Sequence, residues 1–205
     1  KTVWYSAARI LGGFFTALTL GTVLGWVASR FWVVETLLRP ITAAIKATPV
    51  ASFIILVLLW FSGKNLSVII SMLMVFPVIY MNVLEGIRSA DEELLEMAQV
   101  FRLSVSKKLL YIYLPAVAPF FVSACSVSLG LCWKSGIAAE VIGTPDGSIG
   151  AVFYQAKIFL QTSELLAWTV VVVAVSVAFE KLFMLLLRLV LKKLKMEDVL
   201  NGKRA

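Results

Sequence analysis

The sequence predicts an all-α integral membrane protein with about five transmembrane helices. Its 205 residues are 60% hydrophobic and only 15% charged, and the mean hydropathy is +0.94. A soluble domain of this length carries more charge. Apolar runs near twenty residues recur along the chain, the length needed to cross a hydrocarbon layer of about 30 Å as a helix. One long polar interval, residues 85–119, interrupts them near the middle, and a polar stretch there belongs outside the lipid.

Residues 10–29 form the first expected span, with Gly12, Gly13, Gly21 and Gly25 spaced for close approach of another helix. Residues 30–48 read as a connector with a short amphipathic piece, bounded by Pro40 and Pro49. A short span over 50–62, a tight turn at 62–65 and a return span over 66–84 follow, the last bent by Pro77. The fourth span, 115–138, is rich in Ser and small residues. Residues 143–150 are a loop, 149–160 a piece too short to cross, and 165–187 the fifth span, followed by a basic tail over about 189–205. The whole chain, 1–205, reads as a single domain.

The central interval reads as two short helices joined by a turn. Ser89 and Glu92 have the spacing of a capping box, and Asp91, Glu92 and Glu93 place negative charge in a first helical turn. Leu94, Met97, Ala98 and Phe101 recur as one apolar stripe. The periodicity lapses over 102–106, where Ser104 can cap a second helix, and Pro115 marks entry into the next span. On pattern alone this is also what an amphipathic hairpin lying on a membrane surface looks like.

Lysine and arginine placement sets the orientation. With the interval in the cytoplasm, 14 of the 19 basic residues fall on that side, leaving Lys1, Arg9, Lys64, Lys134 and Lys157 opposite. The positive-inside rule then puts the interval and the C-terminal tail in the cytoplasm and the N-terminus outside. The net charge of +7 is not arranged as a basic stripe interleaved with aromatics, so no nucleic-acid partner is expected. With no histidine, no phosphate-binding glycine loop and no carboxylate cluster at metal spacing, no catalytic residue, metal or cofactor is expected. Cys125 and Cys132, seven apart in an apolar run, share a helix face and read as buried structural thiols.

Glu96, Ala98, Ile112, Leu114 and Pro115 match the signature of a known family at the right spacings: a Glu-Ala-Ala start, a Gly six residues after the Glu, and an I-x-L-P end. Met97 stands at the second residue of the signature, where Ala is usual, and Arg102 where the family has Gly. On these residues, and on PITAAIKATPVASFIILVLLWFSG, FPVIYMNVLEGIRSADEELLEMA and LGLCWKSGIAAEVIG, the chain resembles ABC importer permeases of the nitrate, sulfonate and taurine branch. The resemblance implies the type I importer permease arrangement in a bacterial plasma membrane. It implies a cytoplasmic coupling loop over about 86–114, docked on an ABC ATPase dimer through Glu96, Ala98, Phe101, Arg102, Leu103, Ser104, Val105 and Ser106. It further implies a second permease copy, most simply identical, and an extracytoplasmic substrate-binding protein. Because Arg resists the left-handed turn that Gly adopts at low cost, the turn is expected to be shaped differently or to fall one residue away. Members of this branch commonly carry one more span before the first one here.

Candidate pathway residues are Ser123, Ser126 and Ser128, hydroxyls that lipid cannot serve, with Lys134 and Glu140, charges that are expensive in a membrane. Lys134 and Glu140 lie about 120° apart on a helix and are not an obvious pair; interfacial anchoring and a pathway role fit them equally. The expected cargo is a small anion such as nitrate, taurine or an alkanesulfonate. The alternatives are another small solute such as a vitamin precursor, or an ion channel or secondary transporter, neither of which needs a docking loop.

Overall fold

The computed structural model describes residues 1–193, in which every regular element is helical. The basic tail expected over 189–205 lies largely outside the described residues. The elements are α1 (Thr2–Arg30), α2 (Trp32–Ala47), α3 (Val50–Trp60), α4 (Gly63–Arg88), α5 (Glu92–Val100), α6 (Val105–Lys108), α7 (Leu114–Gly143), α8 (Ile149–Ile158) and α9 (Thr162–Lys193). A turn of π-helix, Leu109–Tyr113, joins α6 to α7, giving one continuous rod over Val105–Gly143.

Helices α1 and α4 run parallel. A Cβ added at Gly13 would meet Val68 and Ser71, one at Gly21 would meet Ile79 and Tyr80, and one at Gly25 would meet Val83, so sequence numbers rise together along the seam. Three of the four glycines read as an approach surface therefore are one, whereas Gly12 faces open space. Since two neighbouring helices point the same way, the chain between them must recross the layer. That return is made by α2 and α3, which meet at a 109° bend. With α1, α4, the rod ending in α7, and α9 each long and apolar enough to span, the chain makes five crossings.

The bend falls at Pro49, which stands at the start of α3 with an extended backbone, as expected of a residue that cannot continue the preceding helix. Pro40 does not bound the connector. It sits inside α2, a 16-residue helix, with its ring exposed, so the lost hydrogen bond falls on the outer face. Pro115 stands in the first turn of α7, at the entry expected for the next span, and the wide π-turn before it relaxes the crowding its ring imposes, so the rod runs on without a break.

The core lies between α1, α4 and α7. Ile10, Phe14 and Ala17 meet Val75, Ile79, Val83 and Ile87 and, from α7, Cys125, Leu129, Cys132 and Trp133. Both cysteines are free and fully enclosed. α7 runs antiparallel to α4, with Gly86 against Val117 near one end and Gly63 against Gly143 at the other. α9 leans on α7 antiparallel, Leu191 beside Ala118 and Glu180 beside Ser126, and leaves most of its apolar surface open. The α5–α6 hairpin and the end of α9 therefore emerge on one side, and the N-terminus on the other.

Candidate functional site

Three features carry polar chemistry: the α5–α6 hairpin, an open face of α7, and a buried cluster at the end far from the hairpin. In the hairpin, the residue that caps α5 is Asp91, whose carboxylate accepts from the backbone N–H of Glu93 at 2.9 Å and of Leu94 at 3.5 Å. Ser89 is not the cap. It terminates α4, its hydroxyl donating to the Gly86 carbonyl, because α4 continues to Arg88 and Ser89 has no free helix start to serve. Ser104 does stand just before α6, where its carbonyl accepts from Lys108 N–H at 3.1 Å, but its hydroxyl makes no capping bond.

Arg102 adopts the left-handed conformation, φ 49°. The N–H of Arg102 donates to the Gln99 carbonyl at 3.0 Å and that of Leu103 to the Ala98 carbonyl at 2.9 Å. These are the two bonds of a Schellman helix stop, which a glycine ordinarily completes. The turn is thus neither reshaped nor displaced by the arginine. Tertiary packing holds it: Ala98 is fully buried among Ala90, Ile112, Leu95, Leu103 and Tyr113.

The apolar stripe of α5 splits accordingly. Ala98 faces the chain's own interior, so its methyl cannot pack into an external partner, and Leu94 and Met97 are only partly covered. The outward surface is made instead by Val100, Phe101 and Val105, exposed to 78%, 71% and 80%. Val100 was not among the sequence candidates; its exposure becomes visible only when the turn folds it beside Phe101. Glu96, Arg102, Ser104 and Ser106 are exposed around this knob, and Leu103 is half-buried beneath it.

Along α7 the structure separates the pathway candidates. Ser123, Val127, Gly130 and Lys134 fall on one stripe, i, i+4, i+7 and i+11, that no other element covers. Ser128 points into the bundle and its hydroxyl lacks a partner among the described residues. Ser126 donates to the Glu180 carboxylate at 3.0 Å. That bond fixes the depth of Glu180 and its neighbour Lys181, twelve residues above Leu114, or about 18 Å along the axis. Both charges thus sit beside the middle of α7, well short of its hairpin end. Lys181 lines a groove of about 590 Å³ on the open side of α9, with Thr169, Val173 and Val177.

Glu140 is not on the open face of α7. It is fully buried at the far end, reached by α1 and by the start of α8. Ser6 donates to its Oε2 at 2.6 Å, and Gly150 N–H donates to the same oxygen at 3.3 Å. Ser6 Oγ in turn accepts from Ile149 N–H at 2.9 Å. One carboxylate and one hydroxyl thereby satisfy the free N–H groups at the start of α8. Arg9 donates through Nε to Ser67 at 3.2 Å and through Nη1 to the Tyr5 hydroxyl, and its charge bears on Glu140. An ion pair joins Arg88 to Glu35, away from this cluster. Neither Arg9 nor Ser6 is marked by the sequence as a partner of Glu140, because they lie more than 130 residues away.

The comparisons with known proteins agree with this architecture. The chain is 29% identical over 189 residues to a Bacillus subtilis (strain 168) chain named for aliphatic sulfonates transport, covering 91% of this chain and 68% of that one. It is 26% identical over 184 residues to the taurine transport system permease protein TauC of Escherichia coli (strain K12), covering 87% and 66%. It is 25% identical over 185 residues to the nitrate import permease protein NrtB of Synechococcus elongatus, covering 80% and 66%. The chain thus spans about two thirds of the length of these relatives. Its fold resembles a chain in the crystal structure of an amino acid ABC transporter with histidines, at a TM-score of 0.64 and 16% identity, over 93% of this chain and 94% of that one. Residues 17–196 match the family described as binding-protein-dependent transport system inner membrane component, and the chain belongs to that family.

Proposed function

We propose that the chain is the membrane subunit of an ATP-driven importer of a small oxyanion. The observation that carries this reading is the knob of Val100, Phe101 and Val105, an apolar surface outside the spans on a turn braced from beneath by Ala98 and Leu103. Exposed aromatic and aliphatic residues on a rigid support are what a docking partner requires. The partner is a cytoplasmic ATPase dimer, which receives the knob and the surrounding Glu96, Arg102, Ser104 and Ser106. Positive-inside placement of the basic residues supports the hairpin side as cytoplasmic.

A second copy of the chain completes the pathway. The uncovered stripe Ser123, Val127, Gly130 and Lys134 then borders a shared cavity, with Lys134 toward the outer mouth, where a substrate-binding protein delivers the cargo. Ser128 and Glu140, turned into the bundle, do not line it. The oxyanion assignment is supported by the names of the relatives, which concern sulfonates, taurine and nitrate, and by the cationic charge of Lys134 on an otherwise neutral stripe.

The test is co-purification with a candidate ABC ATPase partner, using the Phe101→Glu variant. A charge on the knob is expected to weaken association at least tenfold while leaving membrane insertion unchanged. Association equal to wild type would refute the docking role.

A further inference from the structure

The far-end cluster is built like a brace, but its hydrogen bonding is incomplete in one specific place. Glu140 Oε2 takes two donors, whereas Oε1 is buried without a partner; Arg9 uses Nε and Nη1, whereas Nη2 is buried without one. The two unused atoms carry opposite charge and belong to groups that act on each other electrostatically. Buried polar groups are nearly always paired, so two unpaired atoms of opposite charge in one cluster call for an explanation. A fully satisfied network would hold α1, α4, α7 and α8 rigidly in one geometry, whereas a partly satisfied one is held less firmly.

We propose that Glu140 is a positioning residue of the transport cycle: with Ser6 and Arg9 it forms a latch that holds the start of α8 against α1 and α7 in the resting conformation and rearranges when the outer end opens. The latch is well placed for this. α8 is ten residues long, buries Ala156 in its second half, and makes its side-chain hydrogen bonds to other elements, among the described residues, at its N-terminus. There, Ile149 and Gly150 are fully buried, and the two N–H bonds to Ser6 and Glu140 are the polar link to the rest of the molecule. In the rearranged state, Arg9 Nη2 donates to Glu140 Oε1, and the charge pair replaces the helix start as the carboxylate's chief partner.

This inference rests on the transport reading, and its test separates the two. The complex of this chain with its ATPase is reconstituted in lipid vesicles, and ATP hydrolysis is followed without binding protein. Glu140→Gln keeps an oxygen to accept from Ser6 and Gly150 but removes the charge facing Arg9. With the charge pair of the rearranged state removed and the resting bonds kept, unstimulated hydrolysis is expected to fall at least threefold while assembly is unchanged. Arg9→Gln is expected to do the same, and the double variant to fall no further than either single one. Ser6→Ala, which keeps both charges and removes the bridging hydroxyl of the resting latch, carries the opposite expectation, a rise of at least threefold. Hydrolysis equal to wild type in the assembled variants would overturn the latch, as would a parallel fall of hydrolysis and assembly in all three, which marks a plain fold element. A wild-type chain that fails to associate with the ATPase would instead refute the transport reading itself.

Discussion

Replacing Gly150 with alanine tests how α8 is held. A Cβ at this position would lie 2.2 Å from the Glu140 carbonyl carbon, 2.3 Å from Glu140 Cβ and 2.4 Å from Val141 N. Two of those atoms are backbone inside α7, so rotamer changes cannot relieve the overlap. The helices must separate by more than about 1 Å to reach ordinary contact. A movement of that size at the start of α8 breaks the bond from Gly150 N–H to Glu140, at 3.3 Å, and strains the one from Ile149 N–H to Ser6, at 2.9 Å. A hydrogen bond to a charged group contributes about 1.5–3 kcal/mol and a neutral one about 1 kcal/mol, so roughly 3 kcal/mol of local stability is lost. At 1.4 kcal/mol per tenfold, the opening equilibrium of α8 shifts by about a hundredfold. Amide hydrogen exchange in lipid nanodiscs reads this directly: the amides of Ile149–Ile158 should exchange about a hundredfold faster while those of α4 and α7 stay protected. Unchanged exchange in α8 would mean that the contact does not hold it and would refute the reasoning.

Arg102→Gly removes a left-handed conformation that costs a non-glycine residue about 1–2 kcal/mol, part of which the added chain flexibility takes back; the hairpin should gain about 0.5–1 kcal/mol, seen as slower exchange of the Leu103 amide. Ala98→Glu forces a carboxylate into a fully enclosed site and should cost the hairpin more than about 3 kcal/mol, seen as rapid proteolytic cleavage between α4 and α7 and loss of ATPase association with the spans still inserted. Lys134→Met should lower anion uptake by about threefold at low ionic strength and little at high, since salt screens an exposed field; an equal effect at both would make Lys134 an interfacial anchor.

What the sequence disclosed was what local chemistry decides. The apolar runs gave the long spans, Pro49 gave the end of the connector, and the gap in periodicity after Phe101 gave the hairpin turn. Pro40 misled because a proline's effect depends on what surrounds it: an exposed ring is tolerated within α2, whereas Pro115 stands at the start of α7 as read. Arg102 misled in the same way, since packing around Ala98 overrides the local preference. Glu140 was noticed for its charge and read as either a pathway residue or an interfacial anchor. Its true surroundings come from Ser6, Arg9 and Gly150, which only the folded bundle brings together. The depth of Glu180 and Lys181 was likewise hidden, because it is set by register against Ser126 rather than by their distance from the chain's end.

The seam between α1 and α4 has a mechanical consequence. A Cβ at Gly13 would overlap the Val68 carbonyl oxygen at 2.4 Å, one at Gly21 or Gly25 would be pressed to 3.0–3.1 Å of its neighbours, and Ala17 between them is fully enclosed. Surfaces meshed this tightly neither slide nor roll without opening voids, so the two helices behave as one stiff push rod. At one end the rod carries the hairpin, hung directly from Arg88; at the other it carries Arg9 and Ser67. A force applied to the hairpin therefore reaches the far face as a displacement of nearly the same size, with little absorbed on the way. Compliance is left to the bent α2–α3 pair and to α8, so those are the parts that must yield when the rod moves.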